Sequence, residues 1–174
     1  LLNITSTICG FASQSRSLSK KYFSSNASSI VLPLSELWEV NDNIIANIID
    51  ILRCVAREAI ELFYVPNSTD QLQELYEIIQ TCLDKGGNQV ILSSIMEGST
   101  EYTTESLLFL KSLIHINLTR QTTFLFEDQD DLCQIFRRIL YFCADGKLTE
   151  RYAAGGCLSK VIRFCPNFML NFLI

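Results

Sequence analysis

One histidine, one tryptophan, three prolines and seven glycines are what this 174-residue chain has least of. The single imidazole, His115, excludes any site that needs two of them within the chain. So few Gly and Pro exclude a collagenous chain and a turn-dense β architecture. No stretch of about 18 apolar residues occurs, so no transmembrane helix is expected. The densest apolar runs, such as Leu107 to Leu110 and Phe168 to Ile174, are too short or are broken by Lys and Asn. Basic residues are in deficit, with 14 Lys and Arg against 19 Asp and Glu, a formal charge of −5. A general nucleic-acid binder draws its affinity from a basic face, and an anionic membrane surface selects one too. Neither partner is expected.

Catalytic signatures are missing as well. There is no G-x-S-x-G, no Gly-rich phosphate loop and no H-E-x-x-H. His115 lies between Ile114 and Ile116 with no predictable acid or nucleophile beside it, and reads as a packed or surface residue. The cysteine spacings, Cys133 to Cys143 and Cys157 to Cys165, do not form paired zinc knuckles. The one dense acidic cluster is Glu127, Asp128, Asp130 and Asp131. It lacks the central Gly and distal Glu of a calcium loop, and reads as a helix start, where carboxylates favour the positive end of the dipole. No enzyme activity, cofactor or metal is expected.

What is present is apolar content. Hydrophobic residues make up 48% and charged residues 19%, enough to bury a sizeable core and too apolar for a disordered chain. Seven cysteines, Cys9, Cys54, Cys82, Cys133, Cys143, Cys157 and Cys165, sit mostly among apolar neighbours with no CxxC. They read as small buried hydrophobes, which places the chain in a reducing compartment, cytoplasm or nucleus. Four N-x-[ST] triplets, at Asn3, Asn26, Asn67 and Asn117, read as chance matches in an Asn- and Ser-rich chain. The chain opens on Leu1 without a secretory signal and closes on Ile174 inside an apolar run; we read both ends as cuts through a longer protein.

The periodicity is helical almost throughout. From Asn41 to Tyr64, residues Ile44, Ile45, Ile48, Ile49, Leu52, Val55, Ala56, Ala59, Ile60 and Phe63 recur at three and four, with Asp50, Arg53, Arg57, Glu58 and Glu61 opposite. Asn41 or Asp42 can cap the start and Pro66 ends it. A second helix starts near Asn67-Ser68-Thr69-Asp70, carries Leu72, Leu75, Ile78, Ile79 and Leu83, and stops at Gly86-Gly87. A short apolar segment, Val90 to Met96, precedes Gly98. Further helices begin at Thr103 or Thr104, at the acidic cluster, and at Leu148, the last running to Phe164. Leu1 to Phe11 reads as helical and Ser13 to Ser29 as a solvated loop with Lys20-Lys21. Ile30 to Leu37 reads as a short helix with Pro33 in its first turn, and Pro166-Asn167 precedes a last one from Phe168 to Ile174. Trp38 reads as buried between helices, with a partner anchor as the alternative. No period-2 run long enough for a sheet appears, so the class is all-α.

Helices of 10 to 20 residues joined by short turns invite a search for repeats. A shift of 45 residues lays Thr104 on Thr149, Leu113 on Leu158, Ile116 on Val161 and Leu125 on Leu170. The tail Glu150-Arg151-Tyr152-Ala153-Ala154-Gly155-Gly156-Cys157-Leu158-Ser159-Lys160-Val161 resembles the last helix of an armadillo/HEAT repeat, which often reads charged-x-x-Ala-Ala-x-x-Leu-x-x-Leu. Its small residues let backbones approach; otherwise a helical glycine costs about 1 kcal/mol relative to Ala. Leu2-Asn3-Ile4-Thr5 and Asn117-Leu118-Thr119 resemble the Asn-Leu signature of the armadillo third helix. Arg53 or Cys54, and Ile162, stand at the corresponding places in the other long helices.

The resemblance implies a right-handed α-solenoid of about three to four armadillo/HEAT-like repeats over residues 1–174, one helical-repeat domain. It also implies a scaffold that binds a peptide or partner helix along the face of its stacked helices. The expected partner-binding residues are Asn3, Arg53, Arg57, Asn117, Lys160 and Arg163, polar positions beside apolar stripes; the Arg groups suit an acidic or phosphorylated protein segment. The alternative is a structural or oligomerising part of a large assembly, joined through the uncapped apolar end at Leu170 to Ile174.

Overall fold

The computed structural model describes residue 29 and residues 31–98, 100–120 and 129–164. The expected helices at Leu1 to Phe11 and Phe168 to Ile174, the serine-rich loop, Cys9, Cys165 and the apolar end lie outside the described residues. Among the described residues every regular element is a helix: α1 (Asp42–Leu62), α2 (Thr69–Cys82), α3 (Asn88–Glu97), α4 (Thr103–Arg120), α5 (Gln129–Asp145) and α6 (Leu148–Phe164). A wide π-type turn, Leu83–Gly87, joins α2 to α3. The chain divides into two compact units, the first ending at Ile91 and the second beginning at Leu92.

The first unit rests on α1. Asn41 caps it, its side-chain oxygen accepting from the Ile44 N–H at 3.0 Å. The expected stripe is buried from Ile44 to Ala59, and Ile51 and Cys54 beside it are buried too, but Ile60 is half-buried and Phe63, past the helix end, is exposed. Fully burying each Ile or Leu contributes about 1.5–3 kcal/mol. α2 packs on α1 through its own buried row, Leu72, Leu75, Ile78 and Ile79. The corner between them is closed by Ser68, whose hydroxyl donates to the carbonyls of Leu62 (2.6 Å) and Val65 (2.8 Å), serving the end of α1. Asn67 takes the left-handed conformation there (φ 63°).

After α2 the chain leaves helical geometry at Lys85 and Gly86, whose φ of 112° only glycine adopts readily. Trp38 lies on this corner, 5% exposed. A Cβ on Gly87 would stand 2.8 Å from the Trp38 ring and 2.7 Å from the Cys82 carbonyl oxygen. The Gly86-Gly87 pair therefore both turns the chain and seats the indole. Lys85 and Glu36 pair across the same corner.

In the second unit α4 is the enclosed helix: from Thr103 to Asn117 no residue is exposed. A helix apolar on most sides belongs in the middle of its neighbours. α5 is amphipathic, burying Ile135, Phe136, Ile139 and Phe142. It packs on α6, and α6 packs on α4. Arg138 of α5 donates from Nε to the Ile95 carbonyl (3.1 Å) and from an Nη to that of Glu97 (3.0 Å), capping the end of α3, and stacks 4.4 Å over the Tyr141 ring. Gly98 (φ 69°) ends α3 at this contact. At the start of α6 the Glu150 carboxylate, 5% exposed, accepts from the Lys147 N–H at 2.7 Å, the return bond of a capping box.

Candidate functional site

α4 and α6 run parallel and in register. Thr104 and Thr149 share a hydrogen bond at 3.2 Å, and the Lys160 ammonium donates to His115 Nδ1 at 3.1 Å. Both pairs are 45 residues apart. An antiparallel pair would hold the sum of the residue numbers constant; a constant difference means parallel axes. Eleven residues separate the two rungs, about 16 Å along the helices. Between them Lys111 lies across Gly156, where a Cβ would stand 2.9 Å from Lys111 Cδ, again 45 residues apart. The Cys157 thiol donates to the Leu107 carbonyl at 3.2 Å on the same seam. The small run of the tail is thus split in function. Gly156 allows the close crossing, and Ala153, Ala154 and Cys157 are buried. Gly155 faces open space, with nothing within 4 Å of a Cβ built there.

The seam gathers positive charge. Lys111 and His115 come from α4, four residues apart and so on one face; Lys160 and Arg163 come from α6 at a spacing of three. Burial pushes the Lys160 ammonium below its ordinary value, and Lys111 and Arg163 push it the same way. Burial also lowers His115, again helped by the cations Lys160 and Arg163. Because an ammonium can only donate, this bond requires an unprotonated Nδ1 on His115. The arrangement holds four basic side chains together in a chain whose net charge is −5. A phosphate or carboxylate entering it would favour the charged forms of these groups.

The outer surface of α6 continues this face. Leu148, Tyr152, Gly155, Ser159 and Ile162 recur at intervals of four, three, four and three, opposite the buried Ala153, Ala154, Cys157 and Val161. All five are exposed, Leu148 to 79%, Tyr152 to 77% and Ile162 to 50%. Lys147, Arg151 and Arg163, all exposed, flank them; the helix's one carboxylate, Glu150, is buried in the cap, where its other oxygen lies 3.9 Å from the Lys147 ammonium.

The expected site residues fall in different places. Lys160 and Arg163 are brought together with Lys111 and His115. Asn117 is on α4 too, 7% exposed. Arg53 and Arg57 belong to α1 in the first unit; Arg53 is half-buried and paired with Asp50, and Arg57 is exposed. Asn3 lies outside the described residues. Lys111, His115 and Arg151 were not among the partner-binding residues expected from the sequence. The signal that could have found Lys111 and His115 was the 45-residue shift itself, which lays His115 on Lys160 and Lys111 on Gly156.

Cys54, Cys82, Cys133, Cys143 and Cys157 are free. Burial raises Cys54 and Cys143, pushes Cys82 up to about 11 and Cys157 up to about 12, all away from the reactive thiolate. Among the described residues no group of three His, Cys, Asp or Glu could hold a metal ion, and no helix is long and apolar enough to cross a membrane. No protein-family model, no curated protein and no solved structure matches the chain.

Proposed function

We propose that the chain is a non-enzymatic helical-repeat scaffold of armadillo/HEAT type, a right-handed solenoid, which binds an acidic or phosphorylated segment of a partner protein on the α4–α6 face. The repeat reading is supported by the 45-residue offset, which falls within the period of such repeats and joins helices that are parallel and adjacent. The binding reading is carried by one observation: Lys111, His115, Lys160 and Arg163 converge, and the charges that depress Lys160 are themselves cationic. Free thiols among the described residues, with Cys54, Cys82 and Cys157 buried, support a reducing compartment, cytoplasm or nucleus.

The test is fluorescence anisotropy with two labelled probes, a Glu-rich peptide and a phosphoserine peptide. Both bind the wild-type chain, more weakly as salt rises. Reversing two partly exposed charges costs roughly 1–2 kcal/mol, so Lys160→Glu/Arg163→Glu binds roughly tenfold more weakly. Equal binding by the wild type and the double variant rejects this site.

A further inference from the structure

We propose that the partner segment docks as a helix, an acidic amphipathic one, laid along the outer face of α6 and crossing it at Gly155. This rests on the binding reading above and gives the partner its form.

Three observations carry it. The exposed residues Leu148, Tyr152, Gly155, Ser159 and Ile162 follow the four-three spacing that a helix presents to a second helix, over about 21 Å. Soluble helices put charge on the side away from the core; here Leu148, Tyr152 and Ile162 stand on that side between the exposed cations. Second, Gly155 is a mid-helix glycine that nothing in its own surroundings requires. Its neighbour Gly156 answers to Lys111, but a Cβ at Gly155 meets no atom within 4 Å. A glycine at the centre of an exposed apolar row, with Ser159 one turn on, lets a second backbone come close. Third, the rim is cationic on both sides. Lys147, Arg151 and Arg163 border the row, and Arg163 also belongs to the α4–α6 cluster. An apolar row between cations selects a helix with apolar anchors and acidic flanks. A second copy of α6 is disfavoured. Crossed antiparallel at Gly155, it would set Lys147 against Arg163.

The probe is a designed amphipathic peptide with Leu anchors and Glu flanks. Its controls are the same peptide with a central Pro and the same peptide with Lys flanks. The Leu/Glu peptide is expected to bind at least about tenfold more tightly than either control. Gly155→Leu is expected to fold with a raised Tm, since it replaces an exposed helical glycine, and to lose the helical peptide; Tyr152→Ala is expected to weaken it. Sedimentation of the chain alone at micromolar concentration is expected to show a monomer. Binding of the Pro-broken peptide as tight as that of the intact one, or unchanged binding by Gly155→Leu, overturns the helix while leaving the acidic-partner reading standing. Failure of every acidic probe overturns both. A dimer dispersed by Gly155→Leu assigns the face to a second copy and overturns the proposal.

Discussion

Alanine at each of two adjacent glycines measures the α4–α6 crossing directly. Gly155 and Gly156 share one helix, one local sequence and one intrinsic penalty, about 1 kcal/mol each relative to Ala. Their surroundings differ. At Gly155 the added methyl enters open space, so Gly155→Ala gains the whole of that amount. At Gly156 the methyl meets Lys111 Cδ at 2.9 Å, with Cε at 3.2 Å and Nζ at 3.3 Å. Lys111 is flexible and can retreat, but it gives up its packing on α6 and the seam must open by a few tenths of an ångström. Overpacking of this kind costs about 1–3 kcal/mol in a rigid site and less against a long side chain. Gly156→Ala should therefore come out near neutral or destabilising. In urea denaturation Gly155→Ala raises the midpoint at unchanged slope, and Gly156→Ala does not. Equal stabilisation by the two substitutions would refute the close crossing, and with it the in-register ladder on which the binding face is built.

At the other corner, Gly87→Ala drives a methyl into the Trp38 ring and the Cys82 carbonyl, and should destabilise the first unit by about 1–3 kcal/mol in the same assay. Arg138→Ala removes two charged hydrogen bonds from the end of α3 and should cost about 1–3 kcal/mol, with Arg138→Lys recovering only part because a single ammonium cannot span the Ile95 and Glu97 carbonyls in the same fork. His115 gives a pH signature. Its folded value is depressed, so the unfolded chain takes up the proton first; stability it contributes is present above the ordinary histidine range and is lost as pH falls through it. Wild type should lose more stability than His115→Gln between neutral and mildly acidic pH, measured by thermal melts. A bound acidic probe reverses the preference by stabilising the imidazolium, so anisotropy should show tighter binding as pH falls through the same range in wild type and not in His115→Gln.

Periodicity made the helices legible because burial on one side of a regular helix imposes its own spacing. Leu148–Phe164 matches its expected bounds, and the start at Thr103 and the Asn41 cap follow from residues that can do little else there. The enclosure of α4 was less legible. Phe109 and Ile116 are buried along with Leu107, Leu110 and Leu113, and a helix buried on nearly all sides carries no single stripe to read. Ser68 shows another limit. Its place before α2 suggested a start signal, but its hydroxyl turns back to the end of α1, a choice made by the corner and not by the sequence motif. The site was half visible. Lys160 and Arg163 stand out as charges at the end of an apolar helix, whereas Lys111 and His115 become part of the same surface only once α4 and α6 lie side by side.

The most direct measurement is an amide NMR titration of the chain with the Glu-rich peptide, read at its glycines. Gly155 and Gly156 sit on the proposed binding face, and Gly86 and Gly87 sit under Trp38 in the first unit. The account predicts that the signals of Gly155 and Gly156 move with peptide concentration while those of Gly86 and Gly87 hold still, and that Lys160→Glu/Arg163→Glu suppresses the movement. Shifts confined to Gly86 and Gly87, or no shift at any glycine, would contradict it.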